Sequence, residues 1–156
     1  MDNTELVPLR GSERSAHADA RPTGAVSDSE RVEVTLVLRR RTEIPDELVE
    51  GPETITREEL AARYGADPAD IEMVKRSAEQ YGLTVTQTDP ASRRVKISGT
   101  IGQLRSVVQA DSLTMVTTPD PAGQGRMVEH RQRTGDLRIL PEWDGVVIGV
   151  TGLDNR

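Results

Sequence analysis

The chain has 156 residues, with 20 Lys and Arg against 26 Asp and Glu, a formal net charge of −6 and a sequence pI near 5.0. That length suits one domain of ordinary size, and the charge is too small to prevent folding. Cysteine is absent, which excludes disulfides and thiolate chemistry. The acidic balance and only three aromatic residues argue against nucleic-acid partners bound by phosphate contacts or base stacking. No apolar run has membrane-spanning length, so no membrane partner is expected.

The first 29 residues are interpreted as an extended or flexible N-terminal arm. They are rich in Pro, Gly, Ser and Thr and lack a periodic apolar pattern. Within them, Val7 and Leu9 could dock an extended strand; the alternative is a loose tail. We place the main domain at residues 30–152, and residues 153–156 as the start of a linker towards a domain outside this chain.

The first clear element is a strand over residues 31–41. Its apolar side chains alternate with more polar ones, which is the period of a half-buried strand. The predicted inward residues are Val32, Val34, Leu36 and Leu38.

Two helices are predicted after a polar loop. Thr56 and Glu59 have the spacing of a capping box, and the short helix that they begin would end near Gly65. Asp67 and Pro68 fit the cap and first position of a second helix, which would end at Gly82. The second helix carries an apolar stripe of Ile71, Val74, Ala78 and Tyr81.

Two alternating segments, residues 83–88 and 93–98, flank turn residues and predict a hairpin. Thr100 would then cap a helix, and residues 113–117 form the next strand. The helix would carry Ile101, Leu104, Val107 and Val108 inward.

This order predicts an α+β, ferredoxin-like β-α-β-β-α-β domain, with one antiparallel sheet and its helices on one face. The other face would be polar, weakly charged and rich in β-branched side chains, a surface suited to covering by a partner. Its predicted partner-binding residues are Thr35, Val37, Thr84, Thr86, Lys96, Thr114 and Val116.

Three further segments follow. Residues 126–131 are predicted to form a strand returning beside residues 113–117, and residues 137–140 are extended. Pro141 would start a C-terminal helix closed by Gly152. That helix would carry Trp143, Val146, Val147 and Val150.

The sequence gives little support for a catalytic or metal-binding site. His17 and His130 have no ligand-like neighbours at helical spacing, so no metal site is expected. The acidic pairs Glu58/Glu59 and Asp67/Asp70 sit at predicted helix starts, where the helix dipole accounts for them. Acids far outnumber bases between residues 42 and 72, while bases gather at residues 39–41, 93–96 and 126–138. Such polarity is typical of solvated faces and also suits a charged partner.

Together these residues resemble the propeptide of the sedolisin–kumamolisin family of serine-carboxyl peptidases. The resemblance is carried by residues 7–14 (VPLRGSER), 33–41 (EVTLVLRRR) and 134–141 (TGDLRILP), with the end at 152–156 (GLDNR). Residues 65–71 and 78–84 match in type and order. Where the family commonly has a Phe-Gly pair, this chain has Gln109-Ala110-Asp111.

The resemblance implies a chain that is not itself an enzyme. It would act as intramolecular chaperone and inhibitor of a peptidase domain, supplied in cis or in trans, until acid triggers autoproteolytic release. The tail of Leu153, Asp154, Asn155 and Arg156 would lead towards the active-site cleft. No cofactor is implied here, since a calcium site would belong to the peptidase domain. A secreted precursor is implied, although no signal region is visible in the sequence.

Two other functions fit the same fold. One is a free-standing protein-binding domain with no peptidase partner. The other is a small-substrate enzyme using the open sheet face, which would need a deep pocket with perturbed carboxylates.

Overall fold

The computed structural model describes residues 5–16, 18–41, 56, 59, 63–119 and 125–153. Within them the chain forms two four-stranded antiparallel sheets and two α-helices. In chain order the elements are β1 (Val7–Pro8), β2 (Arg21–Ala25), β3 (Arg31–Leu38), α1 (Pro68–Gln80), β4 (Thr84–Asp89), β5 (Arg94–Thr100), α2 (Ile101–Leu104), β6 (Val108–Pro119), β7 (Met127–Ile139), a 3-10 turn (Pro141–Trp143) and β8 (Val147–Thr151).

One sheet, here called the helix-backed sheet, has the order β4-β5-β3-β8. Its central strand β3 alternates between buried and more exposed side chains, as the sequence predicted. The buried face of β3 and β5 shares one core with the buried stripe of α1. The hairpin of β4 and β5 is also confirmed.

Helix α1 follows its sequence signals closely. The Asp67 carboxylate accepts a hydrogen bond from the Ala69 amide at 3.0 Å, and Pro68 occupies the first turn. Ile71, Val74 and Ala78 are buried on one stripe. The Gly82 amide donates to the Glu79 carbonyl at 3.0 Å, which closes the helix where the sequence predicted its end.

The second sheet, here called the hairpin sheet, has the order β1-β7-β6-β2. Its centre is the long β6–β7 hairpin, which pairs from Val108 opposite Ile139 to Pro119 opposite Met127. The predicted return of residues 126–131 beside residues 113–117 is confirmed. The extended segment predicted at residues 137–140 is the end of the same strand, β7, which continues as far as Ile139.

The α+β class is confirmed, but the single sheet is wrong. Strand β6 pairs with β7 and β2, so it leaves the helix-backed sheet. The place predicted for it there is taken by β8, which pairs with β3. The ferredoxin-like arrangement is therefore not confirmed as a whole.

The predicted C-terminal helix is also wrong. A 3-10 turn covers Pro141–Trp143, and Val147–Thr151 forms β8. The i, i+3, i+4 and i+7 spacing suggested a helix, yet residues 146–151 are almost all β-branched around Gly149, which favours a strand.

The helix capped by Thr100 is shorter than predicted. Its capping box with Gln103 is present, but α2 ends at Leu104. Val107 and Val108 are buried as expected, from a turn and from the start of β6. The β-branched pair Val107 and Val108 favours extended structure, and Val108 already pairs as the first residue of β6.

The N-terminal arm contributes two strands. Val7 and Pro8 pair with the end of β7, and Leu9 is buried, so the docked-strand interpretation is confirmed for this stretch. β2 pairs with β6 on the opposite edge. The domain boundary at residue 29 stays a prediction.

The first predicted helix lies largely outside the described residues. The Glu59 amide donates to the Thr56 hydroxyl at 3.1 Å, as a capping box requires. Tyr64 is buried beside the core. In the described ranges no helix is long and apolar enough to cross a membrane.

A candidate docking surface on the helix-backed sheet

Five of the seven predicted partner-binding residues share one face of the helix-backed sheet, here called the open face. It lies opposite the buried residues that pack with α1, and its side chains stay half-buried or exposed. Thr35 lies directly opposite Lys96 in the β3–β5 ladder. Val37 lies two pairs further along, and Thr84 and Thr86 extend the face on β4.

A side-chain hydrogen bond on this face connects the edge strand β4 to the central strand β3. The Thr86 hydroxyl lies 2.9 Å from a Glu33 carboxylate oxygen, across the intervening strand β5, and 3.3 Å from the Lys96 carbonyl. Two residues that meet across a strand must project to the same side of the sheet. Glu33 is therefore part of the open face. Its alternation with Val32 and Val34 was the signal that could have identified it.

Strand β8 adds residues that the sequence interpretation missed, because that segment was predicted to be helical. Thr151 lies opposite Thr35, and Gly149 lies opposite Val37. A Cβ at Gly149 would come within 3.7 Å of the Val37 Cβ, so Gly149 presents the same face. Gly149 therefore leaves the open face without a side chain beside Val37 on β8.

Thr114 and Val116 do not join this surface. Both lie on β6 in the hairpin sheet, where Thr114 faces Gln132 and Val116 faces His130 in the β6–β7 ladder. Val116 is 1% exposed, so its side chain belongs to the interior. Their separation follows from the pairing of β6 with β7.

The charges near the open face are mostly positive at one end. Arg94 lies opposite Val37, and Arg93 adopts a left-handed backbone with φ of 62°. Burial and the nearby charges of Arg40 and Arg94 lower the pKa of Arg93. One of its guanidinium nitrogens, Nη1, donates to the Leu38 carbonyl at 2.9 Å, which fixes the Arg93 side chain at this end.

A separate ion pair joins β3 to α1. Arg39 Nε lies 3.0 Å from an Asp70 carboxylate oxygen. The hydrogen bond and then the charge of Asp70 raise the pKa of Arg39. Because the Arg39 side chain is half exposed, the pair is worth well under about 1 kcal/mol after solvent screening.

The predicted cleft-directed tail is only partly described. Leu153 is 4% exposed, and its carbonyl accepts a hydrogen bond from Arg131 Nε at 3.0 Å. Asp154, Asn155 and Arg156 lie outside the described residues. Leu153 is thus packed into the domain, and the tail can begin only after it.

The open face offers contact area and hydrogen-bonding groups. Among the residues that the structure describes, no three His, Asp or Glu side chains gather as a metal site. A cavity of about 280 Å³ is lined partly by Leu104, Val108 and Leu153, none of which belongs to the open face. The groups on the open face suit contact with another protein surface.

Comparison with known proteins gives two findings. A family model described as "Pro-kumamolisin, activation domain" matches residues 18–156. The chain is also 29% identical, over 159 aligned residues, to Kumamolisin of Bacillus sp. (strain MN-32). That alignment covers 95% of this chain and 27% of the relative, so the chain spans about a quarter of the relative's length.

Proposed function

The chain belongs to the Pro-kumamolisin activation domain family, and we propose that it acts as the propeptide of a kumamolisin-type serine-carboxyl peptidase precursor. It would assist the folding of the peptidase domain and block its active-site cleft until release. The proposal assigns catalysis to that peptidase domain and binding to this chain. It is supported by the family match and by the much greater length of the relative.

The observation that carries this proposal is the one-sided helix-backed sheet. Helix α1 packs against one face, while Thr35, Val37 and Lys96 remain accessible on the other. Short β-branched side chains lose little conformational freedom when they are covered. A preformed surface of this kind lowers the cost of association, and it can template the partner that folds against it.

Inhibition would follow from the same docking. With the open face seated on the peptidase domain, the residues after Leu153 continue towards the active-site cleft. The propeptide then excludes substrate by occupying the entrance, and no chemical step by this chain is required.

Release by acid is the third part of the proposal. Carboxylates that meet partner cations in the complex have a pKa lower than the ordinary value of about 4. Their stabilisation is complete above that ordinary value and is lost as the pH falls through the lower value in the complex. The complex would therefore weaken as the pH falls below about 4.

The precursor would be secreted and would need no cofactor in this domain, with any calcium held by the peptidase domain. These features accompany the family resemblance and are testable on the full-length precursor. Metal analysis of the purified propeptide, beside that of the precursor, would distinguish a calcium site in this chain from one in the peptidase domain.

The main experiment adds this chain to an active kumamolisin-type peptidase and measures inhibition from neutral to acid pH. We expect inhibition at neutral pH that declines steeply below about pH 4. No inhibition at any pH would overturn the peptidase role and favour a free-standing binding domain with the same fold. Inhibition that stays constant with pH would leave docking in place and remove the acid trigger.

A matched pair of variants tests the open face itself. Thr84 pairs with Ser98 on the open face, whereas Thr88 aligns with the buried Val95 on the opposite side of β4, and both threonines are exposed. Thr84→Arg is expected to weaken inhibition by about tenfold or more, since a bulky cation would separate the surfaces. Thr88→Arg introduces the same change and is expected to leave inhibition within about twofold. Equal effects would exclude the open face as the interface.

A further inference from the structure

Arg131 connects the start of the predicted tail, at Leu153, with the Glu30 side chain. Its Nε donates to the Leu153 carbonyl at 3.0 Å, and its Nη1 lies 3.4 Å from a Glu30 carboxylate oxygen. The Arg131 side chain is 10% exposed, so this arrangement is largely shielded from water. The Glu30 backbone is fixed in turn, because its carbonyl accepts from the Ile101 amide at 2.8 Å.

The Arg131 hydrogen bond is accepted by the Leu153 carbonyl oxygen, whose orientation sets the direction in which the chain leaves Leu153. The Leu153 carbonyl and the Asp154 nitrogen belong to one planar peptide unit. A hydrogen bond that orients this carbonyl therefore also orients the bond leading into Asp154. Burial of the Leu153 side chain alone would hold the residue in place without setting that direction.

The backbone just before Leu153 is restricted as well. Gly152 has φ of 104°, a conformation that side-chain-bearing residues rarely adopt, and it crosses closely over β3 at Glu33. The chain thus leaves β8 in the helix-backed sheet, turns at Gly152, and is held at Leu153 by Arg131 of the hairpin sheet. Contacts from both sheets fix the same short segment.

We propose that Arg131 is a positioning residue for the tail: its hold on the Leu153 carbonyl fixes the peptide unit from which the chain leaves the domain. The proposal rests on the function proposed above, in which this tail leads to the cleft of a peptidase. It predicts that Arg131 contributes to inhibition through the tail, beyond any contribution to stability.

The first measurement needs no peptidase. Hydrogen exchange followed by mass spectrometry compares the C-terminal segment in the wild-type chain with that in Arg131→Gln, which removes the charge and the Nε donor. We expect at least about tenfold faster exchange in this segment, because losing a hydrogen bond from a charged donor makes local opening of the anchored segment about that much more frequent. Arg39→Gln is the matched control, because Arg39 makes an ion pair with Asp70 after the far end of β3. Unchanged exchange in Arg131→Gln would overturn the anchoring role.

The second measurement separates positioning from simple stabilisation. Arg131→Gln is combined with deletion of residues 154–156, and inhibition of a kumamolisin-type peptidase is measured for all four chains. We expect Arg131→Gln to weaken inhibition by about tenfold in the full chain and by less than twofold in the shortened chain. An equal loss in both chains would show that Arg131 only stabilises the fold.

Two further results keep the outcomes distinct. Circular dichroism must show folded variants; Arg131→Lys serves if Arg131→Gln unfolds, because it keeps a cation near Glu30 while losing the second donor group. If the wild-type chain does not inhibit the peptidase, both the proposed function and the role of the tail at the cleft are wrong. The exchange measurement still decides whether Arg131 holds the tail.

Discussion

The backbone of Gly152 crosses that of Glu33 without leaving room for a side chain. A Cβ at Gly152 would lie 2.8 Å from the Glu33 carbonyl oxygen and 3.2 Å from the Val34 Cα. Both atoms belong to the backbone of the central strand β3, which is paired on both sides by β5 and β8. The close approach therefore depends on glycine at position 152.

We expect Gly152→Ala to lower the free energy of unfolding by roughly 3 kcal/mol, from backbone strain and the steric clash together. Gly145→Ala is the matched control, since Gly145 has φ of 79° but nothing within 4 Å of an added Cβ. It should cost only about 1 kcal/mol. Chemical denaturation of both variants would measure the difference, and equal losses would contradict the close crossing.

Arg93 provides a second backbone test. Its φ of 62° is unfavourable for any residue with a Cβ, while its guanidinium donates to the Leu38 carbonyl. Arg93→Ala and Arg93→Gly both remove that hydrogen bond, but only glycine relieves the backbone. We expect Arg93→Gly to be more stable than Arg93→Ala by about 1 kcal/mol, measured by urea denaturation. The reverse order would show that the left-handed conformation is not adopted in solution.

Local signals in this sequence were strong enough to identify several elements. Asp67 followed by Pro68 identified α1, and the alternation from Val32 to Leu38 identified β3. In both cases the residue at each position favours one local structure, and the tertiary contacts agree with it. The same agreement explains why five of the predicted partner-binding residues fall together on the open face.

The errors arose where pairing between distant segments decided the structure. Val146, Val147 and Val150 satisfy a helical spacing, but pairing with β3 makes this segment a strand. Residues 113–117 were correctly predicted as a strand with β7 on one side, yet the sequence could not show that their other neighbour is β2 instead of β3. Thr114 and Val116 were assigned to the wrong surface for that reason. Periodicity describes one strand at a time and does not identify its neighbours.

Substitutions of Trp143 would test the packing of the interior between the 3-10 turn and the sheets. It is fully buried, and its indole nitrogen has no hydrogen-bond partner among the described residues. Trp143→Phe fills most of the volume and removes the unpaired donor, so it should cost only about 1–2 kcal/mol. Trp143→Ala should cost about 4 kcal/mol because it leaves a cavity. Thermal unfolding followed by circular dichroism would compare them; a larger loss for Phe than for Ala would contradict this packing.

Ser12 connects the N-terminal arm to the hairpin sheet. Its hydroxyl accepts from the Leu137 amide at 2.9 Å and donates to the Leu9 carbonyl at 2.6 Å. Both bonds are buried, so Ser12→Ala should destabilise the fold by about 1–3 kcal/mol. The exposed Ser29→Ala should change stability by less than about 0.5 kcal/mol. Denaturation midpoints would test both, and a neutral Ser12→Ala would mean that the arm is not docked there.

The pairing of β8 with β3 also constrains the timing of folding. The strand that completes the helix-backed sheet lies more than a hundred residues after its partner in the chain. During synthesis on the ribosome, β3 and β5 can pair early, but one edge of β3 remains open in the nascent chain until residues 147–151 emerge. Slow, late closure is expected for such a long-range contact. A chaperone that covers this edge would thus bind the nascent chain and not the finished protein, in which β8 occupies the edge.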